Sequence, residues 1–225
     1  MALRFIFMIC ILFICIITNP LREHLERTDP IVKNMILHTL RNMHQVFKEH
    51  KIFYCIEGGT LLGAVRNQQF IPWDDDADVM VWRKDIDKIL ALKNIFNKLG
   101  HDLGFGASGK VLRIFCQKDK QFPFIDLFIH QKEKDGLIYR CLPGKQQDYV
   151  SSISCPNSCC QLPKKHWDWW AKYQHTHQTL LPRKLYQFSG LKLWGPNNPM
   201  PYIKGWYGMN AVENPQRTHT HQTAT

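Results

Sequence analysis

The stretch EGGTLLGAVRNQQFIPWDDDADVMVW, residues Glu57–Trp82, holds the strongest signal in the chain. It ends in a short apolar run, Val79–Trp82, which is typical of a buried strand. Like charges held roughly 7 Å apart at an effective dielectric of about 20 repel by on the order of 2 kcal/mol per pair. We therefore predict that a cation neutralises the carboxylates that precede the strand, which fill four of five positions: Asp74, Asp75, Asp76 and Asp78.

The alternation of side chains in an extended segment predicts which carboxylates act together. Residues two apart point to the same side, about 6.6 Å apart along the chain, so Asp74, Asp76 and Asp78 share a face and Asp75 points away. The best further carboxylate is Asp126, a lone charge in an apolar strand-like run whose unpaired burial would be costly. Such an oxygen-rich site suits Mg²⁺ or Mn²⁺ bound together with substrate phosphates, as in phosphoryl and nucleotidyl transfer.

Two other interpretations of these aspartates remain open, and a third is rejected. Asp126 can instead form a structural ion pair with Arg113, and the acidic run can be a solvated turn. A calcium-binding loop is rejected, because its sixth position is Val79 where glycine is needed and its twelfth is Asp85 where glutamate is needed.

Periodicity predicts alternating helices and strands, and therefore an α+β (α/β-like) fold. Helices are predicted at Pro30–Lys51, capped by Asp29 with an apolar stripe, and at Lys84–Leu99, ended by Gly100. Thr60 is predicted to cap a third, short helix. The stripe of the first helix comprises Ile31, Met35, Val46 and Phe47. Strands are predicted at Ile52–Ile56, Val79–Trp82, Val111–Phe115, Phe122–His130 and Gly136–Leu142, with a turn near Asp119 between the third and fourth.

Composition limits the class of partner. The 225 residues carry 29 Lys and Arg against 19 Asp and Glu, a net charge of +10 that suits an anionic partner. No basic block or basic-aromatic repeat stands out, so we expect no nucleic-acid partner. We predict one domain at residues 30–213, with a Cys/Trp/Pro-rich C-terminal part, and a disordered tail at 214–225.

The N-terminus is a separate segment. Phe5–Thr18 is a run of fourteen uncharged residues, shorter than the roughly 20 of a full membrane span, and Arg4 precedes it. This pattern favours an uncleaved signal anchor at residues 1–20 with a cytoplasmic N-terminus. We therefore expect a single-pass type II protein of the Golgi or endoplasmic reticulum membrane with a lumenal domain, or a secreted protein if the segment is cleaved.

The cysteines beyond this segment can form disulfides, bind zinc or remain free thiols. Their even number in an oxidising lumen favours disulfides, whose connectivity the sequence does not give. Four of the six are alternatively the candidate ligands of a structural Zn²⁺: Cys141, Cys155, Cys159 and Cys160. The other two are Cys55 and Cys116.

The motif around the aspartates resembles the signature of a known family. Gly58–Arg66 and Phe70–Val79 are similar to the motifs of the LicD family, which includes bacterial phosphocholine transferases and the animal fukutin-related protein. Asp126 in its apolar strand, Phe188–Trp194 and Tyr207-Gly208 continue the resemblance, which covers most of the chain beyond the anchor.

The resemblance implies a nucleotidyltransferase-like mixed sheet flanked by helices. It also implies transfer of a phospho-alcohol, ribitol phosphate- or phosphocholine-like, from a CDP-activated donor to a glycan or glycoprotein acceptor. On this reading Asp76 and Asp78 hold the metal and Asp126 completes the site. Gly58, Gly59 and Thr60 approach the donor phosphates.

Further residues are candidates for the reaction. Asp74 or Asp126 is a candidate base. Arg66 and Arg113 are candidate phosphate ligands, with surface or packing roles as the alternative. Trp73 is expected in the core, and four histidines are expected at the surface: His175, His177, His219 and His221. The alternative functions are a non-catalytic glycan-binding relative of the same fold and a disulfide-rich secreted interaction protein.

Overall fold

The computed structural model describes residues 27–106, 111–141 and 175–214. A six-stranded mixed sheet and a separate two-stranded sheet are surrounded by helices. The strands are β1 Tyr54–Ile56, β2 Ala77–Trp82, β3 Asp102–Gly106, β4 Val111–Phe115, β5 Phe124–Lys132, β6 Ile138–Cys141, β7 Lys184–Phe188 and β8 Leu191–Gly195. The helices are α1 Pro30–Glu49, α2 Gly58–Asn67, α3 Ile86–Leu90, α4 Lys93–Lys98, α5 His177–Leu180 and α6 Met200–Tyr207.

Strand β5 organises the large sheet. The strand order is β1-β2-β5-β4-β3, with β2 parallel to β5 and the other pairs antiparallel. On the edge of β5 that faces away from β2, β4 pairs with the first half of the strand and β6 pairs with the second half. The predicted α+β class and the mixed sheet flanked by helices are therefore confirmed.

Helix α1 forms where the sequence predicts it. Asp29 Oδ1 accepts a hydrogen bond from the Ile31 amide at 2.7 Å, and Pro30 occupies the first turn, where no amide hydrogen is needed. The predicted apolar stripe is wrong at its first member, since Ile31 is 67% exposed. The buried face is set by residues three or four apart: Ile36, Leu40, Met43 and Phe47.

Two predictions about secondary structure are wrong. The single helix predicted at Lys84–Leu99 is a 3-10 turn, Arg83–Asp85, followed by the short helices α3 and α4, and Leu99 is 40% exposed. Strand β3 was not predicted, because Gly104 and Gly106 weaken the strand signal of its sequence. It forms because it pairs along the whole of β4.

The strands that carry the candidate site were predicted well. β4 has the predicted bounds, and β5 is displaced by two residues from Phe122–His130. The predicted turn between them is confirmed, with Asp119 in the left-handed region at φ 61°. This places Asp126 in the interior of the sheet, between β2 and β4.

Some predictions concern other parts of the chain. The signal anchor at residues 1–20 and nearly all of the tail at 214–225 lie outside the described residues. Within the described ranges, no helix has both the length and the apolar character needed to cross a bilayer.

Candidate functional site

Three strands bring the candidate residues into one row. Arg113 of β4 lies opposite Asp126 of β5, and Asp126 lies opposite Asp78 of β2. Residues directly opposite each other in a sheet share a face, so these side chains are neighbours. Asp76, the residue immediately before β2, joins them. One carboxylate oxygen from each of Asp76, Asp78 and Asp126 lies within 4.8 Å of the corresponding oxygens of the other two. We call these three together with Asp74 the acidic cluster.

The alternation predicted for residues 74–78 is only partly realised. Strand β2 begins at Ala77, so the preceding aspartates are not on a strand. Asp75, predicted to point away from the site, is buried at 3% exposure. The predicted convergence of Asp76 and Asp78 with Asp126 does occur, because the strand register and not local alternation brings Asp126 to the other two.

Burial and mutual repulsion disfavour ionisation of the acidic cluster. Burial raises the pKa of Asp76 well above its usual value, and the charges of Asp78, Asp74 and Asp126 raise it further. Burial followed by the charges of Asp78 and Asp75 likewise raises the pKa of Asp74, and Lys33 opposes that shift. A cation bound among these groups would stabilise their ionised forms.

The neighbouring cations are held in place by other contacts. Arg113 donates from Nε to Asp126 Oδ1 at 2.5 Å and from Nη2 to Oδ2 at 3.3 Å, while its guanidinium lies 3.6 Å from the centroid of the Phe124 ring. From the sequence, an ion pair with Arg113 and a place in a metal site were alternatives for Asp126. The structure shows both the ion pair and the convergence of Asp126 with Asp76 and Asp78. The Lys33 ammonium donates to the backbone carbonyls of Ile71 and Pro72.

The acidic cluster fits a hard divalent cation. It offers three carboxylate oxygens close together, and carboxylates are the ligands that Mg²⁺ and Mn²⁺ prefer. In addition, Asp74 Oδ2 is buried and accepts no hydrogen bond from any described residue. A buried carboxylate oxygen without a donor is costly, so it points to a ligand that supplies positive charge or a proton.

The glycine turn at the start of α2 packs against the acidic cluster. The Gly59 amide donates to Asp78 Oδ2 at 2.7 Å, and Gly58 takes φ +56°. A Cβ on Gly58 would lie 2.0 Å from Asp78 Oδ2, and one on Gly59 would lie 2.6 Å from Asp74 Oδ2. Glycine is therefore required because carboxylates occupy the space of a side chain. The approach of these glycines to donor phosphates stays a prediction.

Thr60 does not cap a helix as predicted. It lies inside α2, whose N-cap is Glu57, and its Oγ1 accepts a hydrogen bond from the Asp78 amide at 2.9 Å. The helix began earlier than expected because Gly58 and Gly59 adopt its first turn. Thr60 consequently fixes the backbone of a carboxylate residue, and its predicted contact with phosphate is untested.

Arg66 lies at the opposite end of α2 from the glycine turn. Its Nε donates to the Val212 carbonyl at 2.9 Å. This contact matches the packing role weighed for Arg66, whereas Arg113 lies in the row of the acidic cluster.

A second group of buried polar side chains was missed in the sequence. We call Glu57, His130, Arg140, His175 and Tyr202 the polar layer; all five are at most 8% exposed. Arg140 Nη2 donates to Glu57 Oε1 at 2.7 Å, and His130 Nε2 lies 3.5 Å from Glu57 Oε2. The Tyr202 hydroxyl accepts from the Gly58 amide at 3.0 Å, so the layer supports the glycine turn.

The histidines of the polar layer are neutral. Burial lowers the pKa of both His130 and His175 to about 3, with a further contribution from Arg140. Burial raises the pKa of Glu57 to about 7 against the opposing effect of Arg140. The surface position predicted for His175 is wrong: its ring is 2% exposed and stacks on Tyr202 at 5.0 Å.

The register of β5 and β6 explains why this layer was missed. His130 lies directly opposite Arg140, and neither residue belongs to a recognisable motif. The signal available in the sequence was weak: Glu57 next to two glycines, and a histidine at the end of an apolar strand.

The three cysteines within the described ranges are in two different states. Cys55 and Cys116 are free and buried, whereas Cys141 is disulfide-bonded. A disulfide sulfur is not a thiolate ligand, so Cys141 does not serve the predicted zinc site in this form. The other three predicted zinc ligands, Cys155, Cys159 and Cys160, lie outside the described residues.

Comparison with known proteins gives a family match. The model of the LicD/FKTN/FKRP nucleotidyltransferase domain matches residues 51–198. Lipopolysaccharide cholinephosphotransferase LicD of Haemophilus influenzae is 28% identical over 147 residues, covering 58% of this chain and 52% of that protein. Ribitol 5-phosphate transferase FKRP of Homo sapiens is 23% identical over 194 residues, covering 84% of this chain and 34% of that protein.

An uncharacterised protein of Rickettsia prowazekii is 27% identical over 168 residues, covering 75% of this chain and 52% of that protein. The chain thus spans about half the length, or less, of these relatives. Among solved structures, the lincomycin-bound lincosamide adenylyltransferase LnuA superposes with a TM-score of 0.44 at 10% identity over 84% of this chain and 99% of that chain. That score is too low to support an assignment, which rests on the family match.

Proposed function

The chain belongs to the LicD/FKTN/FKRP nucleotidyltransferase family, and on this premise we propose that it transfers a phospho-alcohol from a CDP-activated donor to a glycan acceptor. The phospho-alcohol is ribitol phosphate- or phosphocholine-like, in line with what the two named relatives transfer. The observation that carries the proposal is the convergence of Asp76, Asp78 and Asp126 on one face of the sheet.

A divalent cation, Mg²⁺ or Mn²⁺, supplies charge neutralisation of the donor phosphates when bound. Asp76, Asp78 and Asp126 would hold it, since they are the carboxylates that converge. Arg113 orients the Asp126 carboxylate through two hydrogen bonds, and its stacking on Phe124 limits the freedom of the pair. The N–H groups of this guanidinium that do not contact Asp126 can also bind the phosphates of the CDP-activated substrate.

Asp74 is the stronger candidate for the base that accepts the proton of the acceptor hydroxyl. Asp126 is engaged by Arg113 through both carboxylate oxygens, whereas Asp74 Oδ2 has no hydrogen-bond donor among the described residues. Burial and the charges of Asp78 and Asp75 raise the pKa of Asp74 above its usual value, which makes it a stronger proton acceptor.

The proposed location of the reaction rests on the sequence expectations alone. We place the domain in the lumen of the endoplasmic reticulum or Golgi, attached through the N-terminal segment at residues 1–20. A disulfide at Cys141 is in keeping with an oxidising compartment.

The test is metal-dependent release of CMP from CDP-ribitol, CDP-choline and CDP-glycerol in the presence of glycan acceptors. We expect one donor to release CMP with Mg²⁺ or Mn²⁺ and none to do so in EDTA. Asp76→Asn should reduce the rate by at least about 100-fold without unfolding the protein. The matched control is Asp119→Asn, the same change at an exposed residue whose left-handed backbone asparagine tolerates.

Full activity of Asp76→Asn would reject the assignment of the acidic cluster. Release of CMP from none of the donors, together with metal-independent binding of a glycan, would identify the chain as the non-catalytic glycan-binding relative instead.

A further inference from the structure

A basic pocket lies at the opposite end of strands β1 and β2 from the acidic cluster. Tyr54, at the start of β1, pairs with Val81, whereas Asp78 lies beyond the last residue of β1 at the other end. The cavity has a volume of about 380 Å³, and no acidic residue lines it. Its polar and aromatic walls include six residues that we call the Arg183 pocket: His44, Lys48, Lys51, Phe53, Arg183 and Trp194.

Arg183 is fixed in the wall of this pocket. Its Nη1 donates to the Tyr54 carbonyl at 2.7 Å, and its guanidinium carbon lies 4.2 Å from the centroid of the Phe53 ring and 4.9 Å from that of Trp194. Among the described residues, no carboxylate forms a salt bridge with it. A guanidinium positioned between two aromatic rings keeps further N–H donors that match the oxygens of an anion.

His44 also lines the pocket and is held by a contact with Tyr54. The Tyr54 hydroxyl accepts from the Trp194 amide at 3.3 Å, and burial keeps that hydroxyl protonated by raising its pKa. Its own hydrogen is therefore available for His44 Nδ1, which lies 2.5 Å away. This bond leaves the proton of the neutral His44 ring on Nε2.

The charges around the pocket repel one another. The pKa of His44 is lowered by burial and then by the positive charges of Lys48 and Arg183. Among the described residues, neither Lys48 nor Lys51 forms a salt bridge. Three cations that share a cavity without an anion gain from binding a dianion, since each repulsion is replaced by an attraction.

We propose that the Arg183 pocket binds a phosphate group, as a phosphomonoester dianion, at a site separate from the acidic cluster. Lys48 in the last turn of α1 and Lys51 just after the helix supply the charge, and Arg183 supplies oriented donors. The volume falls in the range of small-molecule sites and accommodates a phosphorylated monosaccharide. The site does not depend on the proposed transfer reaction.

The experiment measures binding of inorganic phosphate, a hexose 6-phosphate and the unphosphorylated hexose by calorimetry at constant ionic strength. EDTA is present throughout, so that no metal at the acidic cluster can attract phosphate. We expect both phosphates to bind to the wild type and to Asp76→Asn with equal affinity, and the neutral hexose not to bind. Tighter binding of the hexose phosphate than of inorganic phosphate would identify a sugar phosphate as the ligand.

The decisive variant is Lys48→Gln with Lys51→Asn, two exposed changes, the second chosen because Lys51 has φ 53°. We expect the affinity for phosphate to fall at least about tenfold, because two of the charges are removed. The matched control is Lys118→Gln with Lys120→Gln, an exposed lysine pair in the β4–β5 turn, which should bind as the wild type does. Equal affinity in the two double variants would overturn the proposal.

The titration of His44 gives a second readout. Bound phosphate should raise the His44 pKa followed by NMR. A His44 pKa that is insensitive to saturating phosphate would place the anion elsewhere and reject the site.

Discussion

Two neighbouring groups of buried polar residues handle charge in opposite ways. In the polar layer, Glu57 is paired with Arg140 at 2.7 Å, and two histidines are held neutral. In the acidic cluster, carboxylates converge, and their mutual repulsion adds to the pKa shifts of Asp74 and Asp76. The Gly58-Gly59 turn joins the two groups, since Gly58 bonds Tyr202 of the layer and Gly59 bonds Asp78 of the cluster.

The difference separates structural from functional charge. A buried charge that has its partner within the protein stabilises a single arrangement and attracts no ligand. A group of like charges destabilises the free protein, and that cost falls when a proton is taken up or a cation binds. The two groups should therefore respond with opposite signs when a charge is removed.

The largest expected effect is loss of the ion pair of the polar layer. Arg140→Met leaves Glu57 buried without its guanidinium, so the free energy of unfolding should fall by about 3–5 kcal/mol. Urea unfolding at pH 7.5 measures it. The control Arg41→Met, at an exposed residue of α1, should change stability by less than about 0.5 kcal/mol. A loss below about 1 kcal/mol in Arg140→Met would remove the distinction between the two groups.

Metal binding should act on the acidic cluster alone. Free Mn²⁺ at 100 times its dissociation constant should raise the free energy of unfolding of the wild type by about 2.7 kcal/mol. Asp78→Asn should abolish the gain, whereas His130→Asn, in the polar layer, should retain it. Stabilisation of Asp78→Asn equal to that of the wild type would show that the cation binds elsewhere.

The pH dependence of stability tests whether His130 of the polar layer is neutral in the folded protein. The pKa of His130 is about 3 in the folded protein, below its unfolded value of about 6.5, so the unfolded state binds more protons and stability is lost as pH falls below 6.5. Between pH 7.5 and 5.5 the wild type should lose about 1.4 kcal/mol more than His130→Asn.

The effect of His130 must be taken as the difference between the wild type and His130→Asn. The raised pKa values of Asp74 and Asp76 act in the opposite direction, since they make the folded state more stable as the pH falls. Equal slopes of stability against pH in the wild type and His130→Asn would contradict a neutral buried histidine.

The smallest expected effect has the reverse sign. In EDTA at pH 7.5, Asp76→Asn should raise the free energy of unfolding by about 1 kcal/mol, because it removes repulsion with Asp78, Asp74 and Asp126. The Asp119→Asn control should leave stability unchanged. A destabilised Asp76→Asn protein would show that Asp76 is held by favourable contacts, as Glu57 is.

The acidic cluster could be predicted from the sequence because its signals are local or unusual. Asp76 and Asp78 lie in one short motif, and Asp126 is conspicuous as a lone charge in an apolar strand. The bounds of β4 and β5 were predicted to within two residues. This accuracy was enough to place Asp126, which lies on β5, inside the sheet.

The polar layer could not be predicted, because its members come from distant parts of the chain. Glu57 precedes α2, His130 and Arg140 lie on β5 and β6, and Tyr202 lies on α6. Thr60 was misinterpreted for a related reason. Its partner is the Asp78 amide, eighteen residues away, and not the helix that follows it.

The sequence by itself determined the family, the mixed α+β class and the identity of the carboxylates, because these depend on short motifs and on side-chain periodicity. Only the tertiary structure decided which charges are paired. Pairing depends on strand register, which places Asp126 beside both Asp78 and Arg113 and places Arg140 opposite His130. Register is set by the packing of whole strands, so no single stretch of sequence contains it.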